Sequence, residues 1–122
     1  MSPSLQLPIP VLGFRPPLEG FEGAFNTFRL SKAWSKRVVV GQSVLLVDEK
    51  AYQAFGVAVV TAIDVGTLAA MCHMRGWENH SQIGKTREAG EEGAWEVIQK
   101  LYGPHIALPD KPVTVLTLQR VA

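Results

Sequence analysis

The chain has 122 residues, a formal net charge of +1, 47% hydrophobic and 19% charged residues. That length makes one domain, large enough to bury roughly two-thirds of its unfolded surface without disulfides or metals, and the composition is that of a globular protein. A charge so close to neutral excludes whole-molecule attraction to nucleic acid, leaving only local patches, and the single cysteine, Cys72, excludes an intramolecular disulfide and a four-cysteine zinc site.

Residues 1–24 hold five of the eight prolines, at positions 3, 8, 10, 16 and 17. Proline removes backbone donors and blocks helix, so an extended arm is expected here. Its apolar residues Leu7, Ile9, Val11, Leu12 and Phe14 argue that it packs on the body at 25–122, or on a second copy as a homodimer contact. The start, Met1-Ser2-Pro3-Ser4, lacks the basic opening and apolar core of a secretory signal. Apolar runs such as 55–63 are far too short to span a bilayer. A cytoplasmic protein with no membrane partner is expected.

A short strand is read at 26–30, then a turn or short helical segment at 31–40. A continuous apolar strand at 43–48 and a long strand at 53–64 follow. Phe55, Val57, Val59 and Ile63 alternate with Gly56, Ala58, Val60 and Ala62, so both faces of the long strand are expected to be buried, the small one against a helix. Thr67 can cap a helix running to Met74. Residues 76–89 read as a polar surface loop. A second helix is marked by Glu91 and Glu92 at its start, a stripe of Ala94, Trp95, Ile98, Leu101 and Tyr102, and a stop at Gly103-Pro104. A strand at 113–120 closes the chain. Long strands with two modest helices predict an α+β fold, a small β-barrel with flanking helices.

Between Gly23 and Val47 lie Arg29, Lys32, Lys36 and Arg37 with no acidic residue. Cations beside an aromatic ring, here Trp34, are what a phosphate backbone and a base face require. Strand alternation puts Thr27 and Arg29 on one face and Phe28 and Leu30 on the other. Arg29, with a planar fork of donors, is the first candidate for a phosphate or base carbonyl; its alternative is a structural ion pair with Asp48 or Asp64. Trp34 is a stacking platform or a hydrophobic lid. Trp77, Glu78, Asn79, His80, Lys85 and Arg87 crowd the loop with reactive side chains, Glu78 being the best general acid or base among them.

No metal and no cofactor are expected. His73, His80 and His105 lack ligand spacing; Gly84-Lys85-Thr86 resembles the end of a P-loop, but its earlier glycine position is Asn79; no Gly-x-Ser-x-Gly elbow occurs.

The runs Asn26-Thr27-Phe28-Arg29, Gly41-Gln42-Ser43-Val44, Phe55-Gly56-Val57-Ala58-Val59-Val60 and Val65-Gly66-Thr67-Leu68 resemble an ASCH domain of the PUA-like superfamily, over about residues 23–121. The resemblance implies a PUA-like β-barrel with flanking helices and a cleft at the barrel mouth that takes RNA or a modified nucleotide. Residues Asn26, Thr27, Arg29, Lys32, Trp34, Lys36 and Arg37 would line it. It also implies an alternative, an amidohydrolase acting on N4-acetylcytidine-like nucleosides, with Thr27 as nucleophile and Glu78 assisting. Gly23, Thr27 and Arg29 match the motif; its lysine falls near Ala24 or Phe25, and neither replaces it. A threonine hydroxyl is a poor nucleophile without a base, so binding is placed ahead of catalysis. A third reading is a non-catalytic interaction protein that joins two copies through its arm.

Overall fold

A computed structural model describes residues 9–122. Five strands form one curled sheet: β1 (Val11–Phe14), β2 (Ala24–Arg29), β3 (Ser43–Asp48), β4 (Gln53–Thr67) and β5 (Pro112–Arg120), in the order β1-β3-β4-β5-β2. The β1/β3 pair is parallel and the other three pairs are antiparallel. The helices are α1 (Trp34–Arg37), α2 (Leu68–Arg75) and α3 (Arg87–Tyr102), with two 3-10 turns between α2 and α3 at Gly76–Glu78 and His80–Gln82. The fold is therefore α+β, a half-barrel whose two edges are β1 and β2.

Long β4 carries the curl. Register slips opposite Leu46/Val47 and again between Val60 and Ala62, and an extra residue on one strand bends and twists the pair. These slips overturn the expected two-faced reading of β4. Ala58 and Val60 are fully buried in the concave core, and Phe55 and Ile63 pack against that same core. The small residues face the barrel interior, not a helix.

Two cores result. Leu12, Phe14, Phe21, Phe25, Val38, Val44, Leu46, Ala58, Val60, Leu116 and Leu118 fill the concave side. Phe28, Val113 and Val115 meet Leu68, Met71, Cys72 and Ile98 on the convex side, beneath α2 and α3. The proline-rich segment thus does more than cover the body: residues 11–14 are an edge strand of the sheet, and Leu12 and Phe14 belong to its core. Residues 1–8, where part of the expected arm falls, lie outside the described residues.

Thr67 caps α2 by accepting from the Ala70 amide, as expected of it. Helix α3 starts earlier than the two glutamates suggested, at Arg87, with Thr86 accepting from the Ala89 amide. Leu101 and Tyr102, assigned to the buried stripe, are exposed at the end of α3, while Trp95 is partly buried. Residues 83–89 are exposed, as the polarity of the 76–89 segment indicated, but its first half forms the two 3-10 turns, with Asn79 and Gln82 buried.

Helix α3 approaches the first 3-10 turn closely because Gly90 offers no side chain; a Cβ there would lie 2.7 Å from the Trp77 Cα. Gly90→Ala gains about 1 kcal/mol of helix propensity, yet the clash is with backbone and costs roughly 1–3 kcal/mol. Urea melts should show the variant less stable than the parent; a gain would mean that the two segments separate freely.

Candidate functional site

Edge strand β2 presents different chemistry on its two faces. Asn26 is fully buried on the convex side, where its amide donates to the Arg75 carbonyl at 2.8 Å. Asn79 returns the contact, its Nδ2 donating to the Asn26 carbonyl at 3.3 Å. Thr27 and Arg29 share a face, as alternation required, but that face is the concave interior, with Thr27 only 4% exposed.

Arg29 spans the open seam of the half-barrel. Its Nη2 donates to the Gly13 carbonyl of β1 at 3.0 Å, and its guanidinium lies over the rings of Phe14 and Trp34, at 4.9 and 5.4 Å from their centroids. Neither Asp48 nor Asp64 pairs with it among the described residues. Burial pushes the Arg29 pKa down, with Tyr102 and Glu49 acting the other way, and the group stays charged. Its Nε is buried without a partner among the described residues.

His80 completes the plug. It stacks on Phe21 at 4.4 Å between centroids and meets Phe14 and Phe25 edge-on. Gly20, at φ +80°, permits this, since a Cβ there would fall 1.9 Å from the His80 carbonyl oxygen. Burial lowers the His80 pKa to about 4, against the pull of the Glu19 main chain and with help from the Arg29 charge.

Trp34 packs on the concave core, which is the lid role, and Arg37 covers it at 5.0 Å from its centroid. Lys32, Lys36 and Arg37 are exposed around α1, the last two in its final turn. Of the sequence-derived cluster, these three cations are presented to solvent, whereas Asn26, Thr27 and Arg29 are committed to the interior.

Beside β2 lies a pocket of about 290 Å³. Ala24, Phe25 and Thr117 form one side; Trp77, Glu78, Ile83, Gly84 and Lys85 form the other. Glu78 is brought here, and Thr27 is not among the lining residues. Lys85 donates to Gln82 Oε1 at 2.9 Å, and Gln82 Nε2 donates to Ser81 Oγ at 2.9 Å. The Ser81 hydroxyl in turn donates to Asn79 Oδ1 at 2.6 Å. Gln82 is 2% exposed, its amide oxygen seated against Gly93 of α3, where a Cβ would stand 2.0 Å away. The exposed Lys85 side chain is therefore tied to a part-buried chain of hydrogen bonds.

The pocket hydroxyl, Thr117, was invisible in the sequence. It enters through β-pairing with Asn26 and Ala62, and no local pattern marks it. A larger groove of about 530 Å³ lies along α3, walled by Glu88, Glu91, Glu92, Trp95 and Cys72. Its three carboxylates face no lining cation and repel a phosphate, and burial, with Glu91 adding to it, raises the Cys72 thiol to about 12, leaving it unreactive. The smaller pocket is the better candidate.

The depressed pKa of His80 has a stability consequence. Unfolded, the imidazole titrates near its ordinary value; folded, it refuses the proton until about pH 4. Stability is complete above the unfolded value, declines as pH falls from about 6.5 towards 4, and levels off below, a loss of about 3 kcal/mol. His80→Phe keeps an aromatic plug without a titrating group. The difference in unfolding free energy between parent and variant, measured across pH 4–7, should carry this slope; parallel curves would refute the assignment.

A scan against protein families finds no match, nor does a search of curated proteins. Solved structures do match in fold. Protein EF3133 of Enterococcus faecalis V583, of family DUF984, superposes with TM-score 0.52 at 14% identity over 84% of this chain; the chain spans only 62% of that protein. The hypothetical protein PH0355 superposes with TM-score 0.62 at 16% identity, covering 91% of this chain and 97% of that one. At these identities the likeness is one of fold: the α+β half-barrel described above is an architecture shared with both.

Proposed function

We propose that this protein is a PUA-like, ASCH-type module that binds RNA or a modified nucleotide in the pocket between β2 and the 77–85 segment. The observation that carries the reading is the pocket itself. It is about 290 Å³, borders the strand bearing the Thr27-x-Arg29 motif, and combines an indole wall, a carboxylate, an ammonium and a hydroxyl. Concave sites with an apolar lining and a few convergent polar groups are the usual receptors for small ligands. The exposed cations Lys32, Lys36 and Arg37 supply a separate basic ridge for phosphates. In this reading Arg29 shapes the site and does not touch the ligand, because its guanidinium is buried in the seam against Gly13, Phe14 and Trp34 and lies outside the pocket lining.

Titration with nucleosides and short single-stranded RNA, followed by tryptophan fluorescence at two salt concentrations, tests the proposal. Saturable quenching should be lost in Trp77→Phe. RNA affinity, unlike nucleoside affinity, should weaken with salt and fall several-fold in Lys36→Ala/Arg37→Ala. No saturation by any nucleoside or RNA at millimolar concentration would refute it.

A second reading, an amidohydrolase acting on N4-acetylcytidine-like nucleosides, is favoured by one observation. Ala24 and Phe25, where the motif lysine is lacking, line the same pocket as Lys85 and Glu78. Thr27 lies outside this pocket, so in this reading Lys85 assists a water or the Thr117 hydroxyl that lines it. Acetate release from N4-acetylcytidine should fall at least a hundredfold in Lys85→Met; undiminished turnover in that variant would remove Lys85 from the reaction, and no turnover by the parent protein would leave binding alone.

A further inference from the structure

Glu78 and Lys85 line one small pocket, yet no contact within 4 Å joins them among the described residues. Each is half-used. Arg75 Nη1 donates to one Glu78 oxygen at 3.3 Å, leaving the second oxygen for a guest. The Lys85 ammonium gives one bond to Gln82 Oε1 and has two N–H groups left. The Lys85 ammonium is bonded to the buried Gln82 amide and not to the glutamate.

Two opposite charges held apart across a cavity define what can lie between them. A guest must donate N–H to the carboxylate and accept from the ammonium. Trp77 adds a flat wall whose ring is covered by Arg87 at 5.8 Å, so a planar guest is favoured.

We infer that the pocket selects ring systems bearing an amino edge, with Glu78 reading the amine and Lys85 an adjacent ring nitrogen or carbonyl. The inference rests on the nucleotide reading above and narrows it to bases with an exocyclic amine. A carboxylate accepts from such an amine, whereas a carbonyl in the same place sets lone pairs against the carboxylate and leaves both unpaired. Sites built to bond a particular polar group reject the analogue lacking it more strongly than apolar pockets reject a missing methylene.

The test uses two ligand pairs in which a carbonyl replaces the amine and the neighbouring ring nitrogen changes from acceptor to N–H donor: cytidine with uridine, and adenosine with inosine. Calorimetric or fluorescence titration of the full chain should show the amino member of a pair binding at least tenfold more tightly. Glu78→Gln, whose amide can donate as well as accept, should lower that ratio several-fold. Lys85→Met should weaken the amino member more than its carbonyl partner, because only the amino member offers a ring nitrogen that accepts from the ammonium, and should lower the ratio in part. Equal affinities within each pair for the parent protein would overturn the inference while sparing nucleotide binding, and this arm needs no variant. Survival of the full ratio in a Glu78→Gln protein with an unchanged melting temperature would overturn it as well. Failure of all four nucleosides to bind would overturn the inference, and failure of short RNA as well would overturn the nucleotide reading with it.

Discussion

The structure depends on how a curled sheet that does not close deals with its two free edges. Strands β1 and β2 face each other without pairing, and an open seam would expose backbone donors and an aromatic core to water. The Arg29 guanidinium crosses that seam to the Gly13 carbonyl, and its flat faces cover Phe14 and Trp34. A lysine would serve poorly here, having neither a planar fork nor a face to stack. The cost is a cation withdrawn from water, which the carbonyl bond and two aromatic faces offset. The dense charge pattern around residues 29–37 therefore serves two ends. One cation closes the fold, and the others remain on the surface.

The segment joining α2 to α3 depends on the same seam. Its residues divide into anchors and tools. Asn79 bonds β2, His80 enters the aromatic plug, and Gln82 lodges against α3. On either side of these anchors, Trp77 and Glu78 before them and Lys85 after them line a cavity. Such a segment is as rigid as the sheet it is fastened to, and rigidity is what a site needs if it is to hold two opposite charges apart. The close approaches at Gly20, Gly90 and Gly93 belong to this arrangement, because each lets a neighbouring chain or side chain come nearer than a Cβ would allow.

In the proposed function, this division separates two kinds of recognition. The ridge around α1 offers flexible, solvated cations, suited to phosphates and sensitive to salt. The pocket beside β2 offers few groups, each held by further hydrogen bonds, suited to discriminating one ring from another. A nucleotide or RNA end needs both. Thr27, with its side chain on the concave face and outside the pocket lining, contributes to the core, so a hydrolytic role for it requires the β2 edge to open.

The kinds of element and their order were legible in the sequence because they follow from local spacing. Strand β3, the cap Thr67 and the stop at Gly103 are each dictated by residues within a few positions of one another. Alternation also placed Thr27 and Arg29 together. Which way that shared face points was decided only by tertiary structure, since it depends on β2 pairing with β5, some ninety residues later. The same holds for β1, whose short proline-flanked run becomes a strand only through its parallel partner β3. It holds too for the two register slips in β4 that bring Phe55 and Ile63 onto the same core as Ala58 and Val60, and for the meeting of Thr117 with Glu78 and Lys85. Local spacing fixes periodicity, but register and burial are properties of pairs of segments. The chemistry of this site therefore became visible only once distant segments were in contact.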